Sequence, residues 1–93
     1  MMMSVKFSPN ALKQFFEVQE KDKRLYKALK KIIEDTQRSG TSGLGHPEPL
    51  KENLSGWWSK RLDDGNRMVF RIVTENNFDV VEIAECRTHY GDK

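Results

Sequence analysis

The chain has 93 residues, 37% hydrophobic and 32% charged, with a formal net charge of +2, which is apolar material for one compact core and too little for two. Its single cysteine, Cys86, excludes a disulfide framework and a multi-cysteine zinc site. The opening Met1-Met2-Met3-Ser4-Val5-Lys6 lacks the apolar run of a secretory signal, and no stretch approaches the ~20 apolar residues of a membrane span. One cytoplasmic domain over residues 1–93, away from membranes, is therefore expected.

Charge is unevenly spread: basic residues outnumber acidic ones 9 to 5 in residues 1–40, and the ratio is 7 to 9 in residues 41–93. Lys13, Lys21, Lys23, Arg24, Lys27, Lys30 and Lys31 alternate with Glu17, Glu20, Asp22, Glu34 and Asp35. That pattern fits a solvated helix surface and a patch facing a nucleic acid alike.

In chain order, residues 4–7 suit a short edge strand, and Ser8-Pro9 reads as an N-cap followed by proline in the first turn. Leu12, Phe15, Phe16 and Gln19 then fall at helical spacing, predicting a first helix that closes on the core and ends near Glu20 or Lys21. Asp22 caps a second helix, in which Leu25, Leu29, Ile32, Ile33 and Thr36 share one face as far as about Arg38. The two make an antiparallel helical hairpin. Residues 39–49 hold too many glycines and prolines for regular structure and form an ordered loop that presents Glu48 between Pro47 and Pro49.

From Leu54 the period changes to two, giving strands at 54–62, 67–74 and 78–87 in an antiparallel meander. The expected fold is α+β: the N-terminal helical hairpin packs on one face of a twisted antiparallel sheet, and the other face stays open for function.

Loop length sets the register of the first hairpin. A two-residue Asp64-Gly65 turn would put Arg61 and Arg67 on opposite faces, whereas a three-residue Asp63-Asp64-Gly65 loop opposes Arg61 to Arg67. Only the second separates a core face (Leu54, Trp58, Leu62, Met68, Phe70, Ile72, with Lys60 at its margin) from a polar one. The polar face collects Ser55, Trp57, Ser59, Arg61, Arg67, Val69 and Arg71, where guanidinium forks suit phosphate oxygens and the indole suits a base. In the last strand an unbroken alternation would turn Glu85 and His89 toward the helices, so a bulge or an exit from the ladder is expected between about Ala84 and Thr88. Cys86 reads as a small buried residue and His46 as an isolated loop histidine at the surface.

A carboxylate (Glu48), an imidazole (His89) and two fixed cations (Arg61, Arg67) suffice for cleavage of a phosphodiester beside a 2′-hydroxyl, with no metal and no cofactor. The possible ligands Glu48, His46 and His89 form no recognised metal set.

In order and spacing, Asp22-Lys23-Arg24, Pro47-Glu48-Pro49-Leu50, Lys51-Glu52-Asn53-Leu54-Ser55-Gly56-Trp57-Trp58-Ser59-Lys60-Arg61, Arg67-Met68-Val69-Phe70 and Cys86-Arg87-Thr88-His89-Tyr90 resemble the YoeB branch of the RelE-type toxins. These are ribosome-dependent mRNA endonucleases of bacterial toxin–antitoxin pairs. The resemblance spans nearly the whole chain and implies a RelE-like, microbial-RNase-type fold. It further implies that Glu48 is the general base, His89 the general acid, Arg61 and Arg67 the stabilisers of the phosphorane, and Tyr90 an orienting residue or an aid to protonation. Lys51, Trp57, Arg71 and Arg87 are the expected RNA contacts. The implied partners are mRNA on the ribosome, ribosomal RNA and a cognate antitoxin, and homodimers occur in this branch. The tail Gly91-Asp92-Lys93 extends past the tyrosine near which such chains commonly end. The rival readings are a non-catalytic RNA-binding module, which has no use for Glu48 beside His89, and a domain that regulates its own promoter with a partner.

Overall fold

The computed structural model describes residues 2–88. Seven elements follow one another: β1 Ser4–Phe7, α1 Pro9–Lys21, α2 Lys23–Ser39, β2 Glu48–Pro49, β3 Trp58–Arg61, β4 Arg67–Glu75 and β5 Phe78–Thr88, with a 3₁₀ turn at Glu52–Leu54 before β3. The sheet order is β1-β5-β4-β3-β2. β2 to β5 are antiparallel, but β1 pairs with β5 in parallel through Val5 to Val81 and Phe7 to Ile83, so the sheet is mixed. A strand that enters α1 directly and reaches the far edge of the meander can only run that way.

The helix ends follow from their caps. Ser8 Oγ accepts the Ala11 N–H at 3.0 Å and donates to the Ala84 carbonyl at 3.1 Å, so one hydroxyl both starts α1 and ties it to β5. Asp22 separates the helices: its N–H ends α1 on the Val18 carbonyl, and its side chain accepts the Leu25 N–H to open α2. In α2 the expected face of Leu25, Leu29, Ile32, Ile33 and Thr36 is buried.

In α1 the expected face is rotated. Leu12 and Phe16 are 41% and 56% exposed, whereas Ala11 and Val18 are fully buried. Phe15 completes the seam against Phe7 and Tyr26, with ring centroids 5.4 and 5.6 Å away. Ala11 replaces a larger side chain because α1 lies close against β5, where Cys86 Sγ donates to the Ala11 carbonyl at 3.0 Å.

The expected strand over 54–62 is shorter. Leu54 sits in the 3₁₀ turn, Glu52 and Gly56 take positive φ, and pairing begins at Trp58, so Leu54 and Ser55 belong to no sheet face. The hairpin register is the three-residue one: Arg61 opposes Arg67, and the Leu62 N–H bonds the Asn66 carbonyl at 2.9 Å. Leu62, Met68, Phe70, Val81 and Ile83 are buried with the helices.

β5 is irregular where the alternation demanded it. Phe70 pairs with Ile83, Val69 with Glu85 and Arg67 with Thr88, so two extra residues enter β5 over this stretch. Ile83 and Cys86, three apart, are both fully buried, and Arg87 is exposed. β1 ends at Phe7, which leaves this part of β5 paired with β4 alone, and α1 takes the place of a strand on the other side. Gln14 accepts the Cys86 N–H at 2.8 Å and donates to Glu85 at 2.9 Å, while Asn10 donates to Glu85 at 3.1 Å. Glu85 is therefore held by α1. His89 and Tyr90 lie outside the described residues.

Candidate active site

The site begins beneath the surface, with Lys60. The sequence places this residue at the core margin with its ammonium in solvent, but it is fully buried. Its Nζ donates to Thr36 Oγ1 at 2.9 Å, lies 3.9 Å from Asp35 Oδ2 and stands 5.4 Å from the centre of the Phe70 ring. The side chain cannot escape because the loop after α2 closes over it. Burial pushes the ammonium below its ordinary range, and Asp35 partly restores it.

Asp35 also holds that loop. Its Oδ2 accepts the Leu44 N–H at 2.9 Å and the Ser39 hydroxyl at 3.0 Å. The Leu44 N–H chiefly, with Ser39, Lys60 and Arg38, keeps the carboxyl below the usual range against the opposing effect of burial. One residue on, the Arg61 N–H donates to the Gly45 carbonyl at 2.6 Å. Gly45 has φ +86, and a β-carbon there would come within 3.0 Å of Lys60 Cβ and 3.2 Å of the Arg61 carbonyl, so only glycine fits.

The loop then delivers Glu48 into the two-residue β2, opposite Ser59 of β3. The expected ordered loop thus ends as a sheet edge. Pro49 is tolerated there because nothing pairs on its outer side. Glu48 has its carboxylate 3.6 Å from Arg67 Nη1, with side chains 63% and 29% exposed, respectively. Behind it the fully buried Ser59 accepts from the same Nη1 at 3.3 Å. Arg61 and Arg67 face each other across β3 and β4. His46, Pro47, Glu48, Arg61 and Arg67 line one open cleft of about 430 Å³. A larger hollow of about 640 Å³ is lined by three carboxylates, Asp22, Asp63 and Asp64, against the one cation Arg24, a balance that opposes a phosphate.

The expected RNA contacts scatter around this cleft. Lys51 and Arg87 are exposed. Trp57 and Arg71 form a stack, the guanidinium carbon 4.5 Å from the ring centre, and Glu82 accepts from Arg71 Nε at 2.5 Å. Arg71 stands four positions along β4 from Arg67, about 13 Å along the strand, so the stack flanks the cleft. Arg71, expected to contact RNA, is anchored between the Trp57 ring and Glu82.

The sequence puts Ser59 on the polar face but not as a buried partner of Arg67, gives His46 a surface place outside the acid–base set, sets Lys60 at the core margin, and does not mark Glu82. His46 stands two residues before Glu48, a signal that was available. The other three could not be assigned without knowing which chains close over them. Among the described residues, no group of three or more His, Cys, Asp or Glu side chains converges as metal ligands would. No helix there is long and apolar enough to cross a membrane.

Two helices on this five-stranded sheet, with a carboxylate and paired arginines in an edge cleft, define a RelE-like toxin fold. The family model for the YoeB-like toxin of bacterial type II toxin–antitoxin systems matches residues 7–90, and the chain belongs to that family. Toxin YoeB of Escherichia coli strain K12 is 40% identical over 95% of this chain and all of its own length. Toxin RelK of Mycobacterium tuberculosis is 38% identical over 96% and 100%. Among solved structures, a YoeB/ParE toxin from Agrobacterium tumefaciens superposes with a TM-score of 0.87 at 30% identity, covering 95% of this chain and 100% of its own. A YoeB dimer from Staphylococcus aureus gives 0.82 at 32%, covering 97% and 100%.

Proposed function

We propose that this toxin is a ribosome-dependent mRNA endonuclease, all 93 residues acting as one cytoplasmic domain. The observation that carries the reading is the placing of Glu48 within 3.6 Å of Arg67 in the cleft that Arg61 also lines. A carboxylate at that separation can take a proton from a 2′-hydroxyl while the guanidinium holds the adjoining phosphate.

Glu48 removes the 2′-hydroxyl proton, the freed oxygen attacks the neighbouring phosphorus, and the bond to the 5′-oxygen breaks. His89 donates the proton that the departing oxygen needs, and Tyr90 orients the substrate. Arg61 and Arg67 balance the charge that accumulates on the phosphorane. The products are a 2′,3′-cyclic phosphate, which a water molecule then opens to a 3′-phosphate and a 2′-hydroxyl, and a 5′-hydroxyl end. Lys51, Arg87 and the Trp57–Arg71 stack bind the flanking message.

The open cleft encloses little of a nucleotide, which favours a ribosome that fixes the message for attack. The basic face of α1 and α2 then meets ribosomal RNA. The Staphylococcus aureus relative is known as a heterotetrameric YoeB–YefM toxin–antitoxin complex and as a dimer. A cognate antitoxin and a homodimer are accordingly the protein partners expected here.

The test is message cleavage in a translating extract by the wild type, Glu48→Gln and His89→Gln. Loss of cleavage in both variants with ribosome binding retained supports the assignment. Cleavage undiminished in both removes it, and ribosome binding without cleavage by the wild type identifies a non-catalytic module.

A further inference from the structure

His46 is an exposed histidine that shares the cleft with Glu48, Arg61 and Arg67. Its φ is +49, in the left-handed region that a non-glycine residue rarely adopts, and it precedes a proline, which adds its own restriction. Three contacts fix the conformation from below: Asp35 to the Leu44 N–H, the Arg61 N–H to the Gly45 carbonyl, and the tight seat of Gly45 on Lys60. Pro47 stiffens the exit. The loop thus holds an imidazole at the cleft wall by a backbone shape that glycine would adopt with less strain.

We infer that His46 is a further substrate-contacting residue of this cleft, donating from its imidazole to a phosphate oxygen of the message across from Arg61 and Arg67. The inference rests on the ribonuclease reading and deepens it. His46 stands two residues from the base, on the same wall. In-line displacement places the proton donor for the departing 5′-oxygen across the phosphorus from the base, so the acid role belongs elsewhere and His46 serves binding. The charged groups that share the cleft with it are the Glu48 carboxylate and the Arg61 and Arg67 guanidinium groups, and a phosphate oxygen held by the two arginines lies within the space the imidazole also lines.

The test is single-turnover cleavage of a defined message on programmed ribosomes at increasing toxin concentration. His46→Gly keeps the left-handed backbone and removes the ring, His46→Lys returns an N–H donor for phosphate, and Glu48→Gln reports on the chemistry. His46→Gly is expected to raise the half-saturating concentration roughly 10-fold, the scale of one charge-assisted hydrogen bond, with its maximal rate within about 3-fold of the wild type. His46→Lys is expected to recover most of that loss. A residue that only shapes the loop leaves His46→Gly at wild-type saturation, and that result overturns the inference while Glu48→Gln remains inactive. A fall in maximal rate alone in His46→Gly also overturns it, since the role is then chemical. Cleavage by Glu48→Gln at the wild-type rate overturns the ribonuclease assignment together with it.

Discussion

Arg67 Nη1 lies 3.6 Å from the Glu48 carboxylate and 3.3 Å from the Ser59 hydroxyl, so one guanidinium joins the edge strand β2 to the centre of the sheet. The pair is partly exposed, and such pairs stabilise a fold by about 0–1 kcal/mol. Under the proposed function its place beside Arg61 bears on cleavage more than on stability. Glu48→Gln is expected to lower cleavage by about 10²- to 10⁴-fold, and Arg67→Gln by a comparable factor of about 10²- to 10³-fold. Both should melt within a few degrees of the wild type. The double variant should lose little more than the worse single one, because the residues act on one transition state. Multiplicative losses in a four-member kinetic comparison would show that they act separately.

Lys60 offers a pH test. Its ammonium is pushed down by burial in the fold, so between the folded value and the ordinary one near 10.4 the unfolded chain holds more protons. Stability contributed at this site therefore rises with pH through that window and stays at its low plateau below the folded value, where both states hold the proton. Lys60→Met removes the titration, and buried ion pairs replaced by apolar groups are often neutral or stabilising. The melting-temperature gap between wild type and Lys60→Met should shift in favour of the wild type from pH 8 to pH 10. A gap independent of pH would mean that Lys60 titrates alike in both states.

Asp35 tests the loop. Its carboxyl is held down chiefly by the Leu44 N–H, so its contribution is present above the ordinary carboxylate range and is lost as pH falls through the lower folded value. Asp35→Asn should free residues 42–47 and reduce cleavage at neutral pH while the helices stay intact. Faster amide exchange at Leu44 with unchanged far-ultraviolet dichroism is the expected signature. Unchanged exchange at Leu44 would show that the Arg61 bond to Gly45 suffices.

Cys86 should be chemically silent in the folded protein. Burial, aided by Glu85, pushes its thiol up to about 12, and the thiolate is the reactive form. Labelling by a thiol reagent should follow global unfolding, and stability should decline above about pH 9 as the unfolded thiol ionises first. Rapid labelling under native conditions would contradict this burial.

Gln14 carries the end of β5, since it satisfies the Cys86 N–H that the irregular ladder leaves without a strand partner. Gln14→Ala should cost about 1–3 kcal/mol for an orphaned buried donor, or roughly 4–8 °C in melting temperature per kcal/mol for a domain of this size. It should also reduce cleavage, because the end of β5 loses a bond to α1. An unchanged melting temperature would place the strand end under other control.

What was legible in the sequence divides along physical lines. The Arg61 to Arg67 register followed from loop length and parity, and the irregularity in β5 from a glutamate that alternation would have buried. Helix starts at Ser8 and Asp22 followed from local hydrogen-bond chemistry. The face of α1 did not, because Leu12 and Phe16 obey helical spacing as well as Ala11 and Val18, and only the close approach of β5 selects the smaller residue. Lys60 was misplaced for a related reason: its burial depends on a loop whose path is set by Asp35, twenty-five residues earlier. Glu48 was found by its prolines and by family resemblance, while His46, equally near, lacked any periodic context to mark it.

Whether the Glu48 cleft cuts message as the ribosome reads it is decided by mapping RNA 5′ ends after brief expression of the wild type and of Glu48→Gln. New ends bearing a 5′-hydroxyl, confined to translated frames and recurring at one codon position or close behind start codons, are predicted for the wild type alone. Messages unchanged by the wild type, or the same cuts made by Glu48→Gln, would contradict cleavage by that cleft.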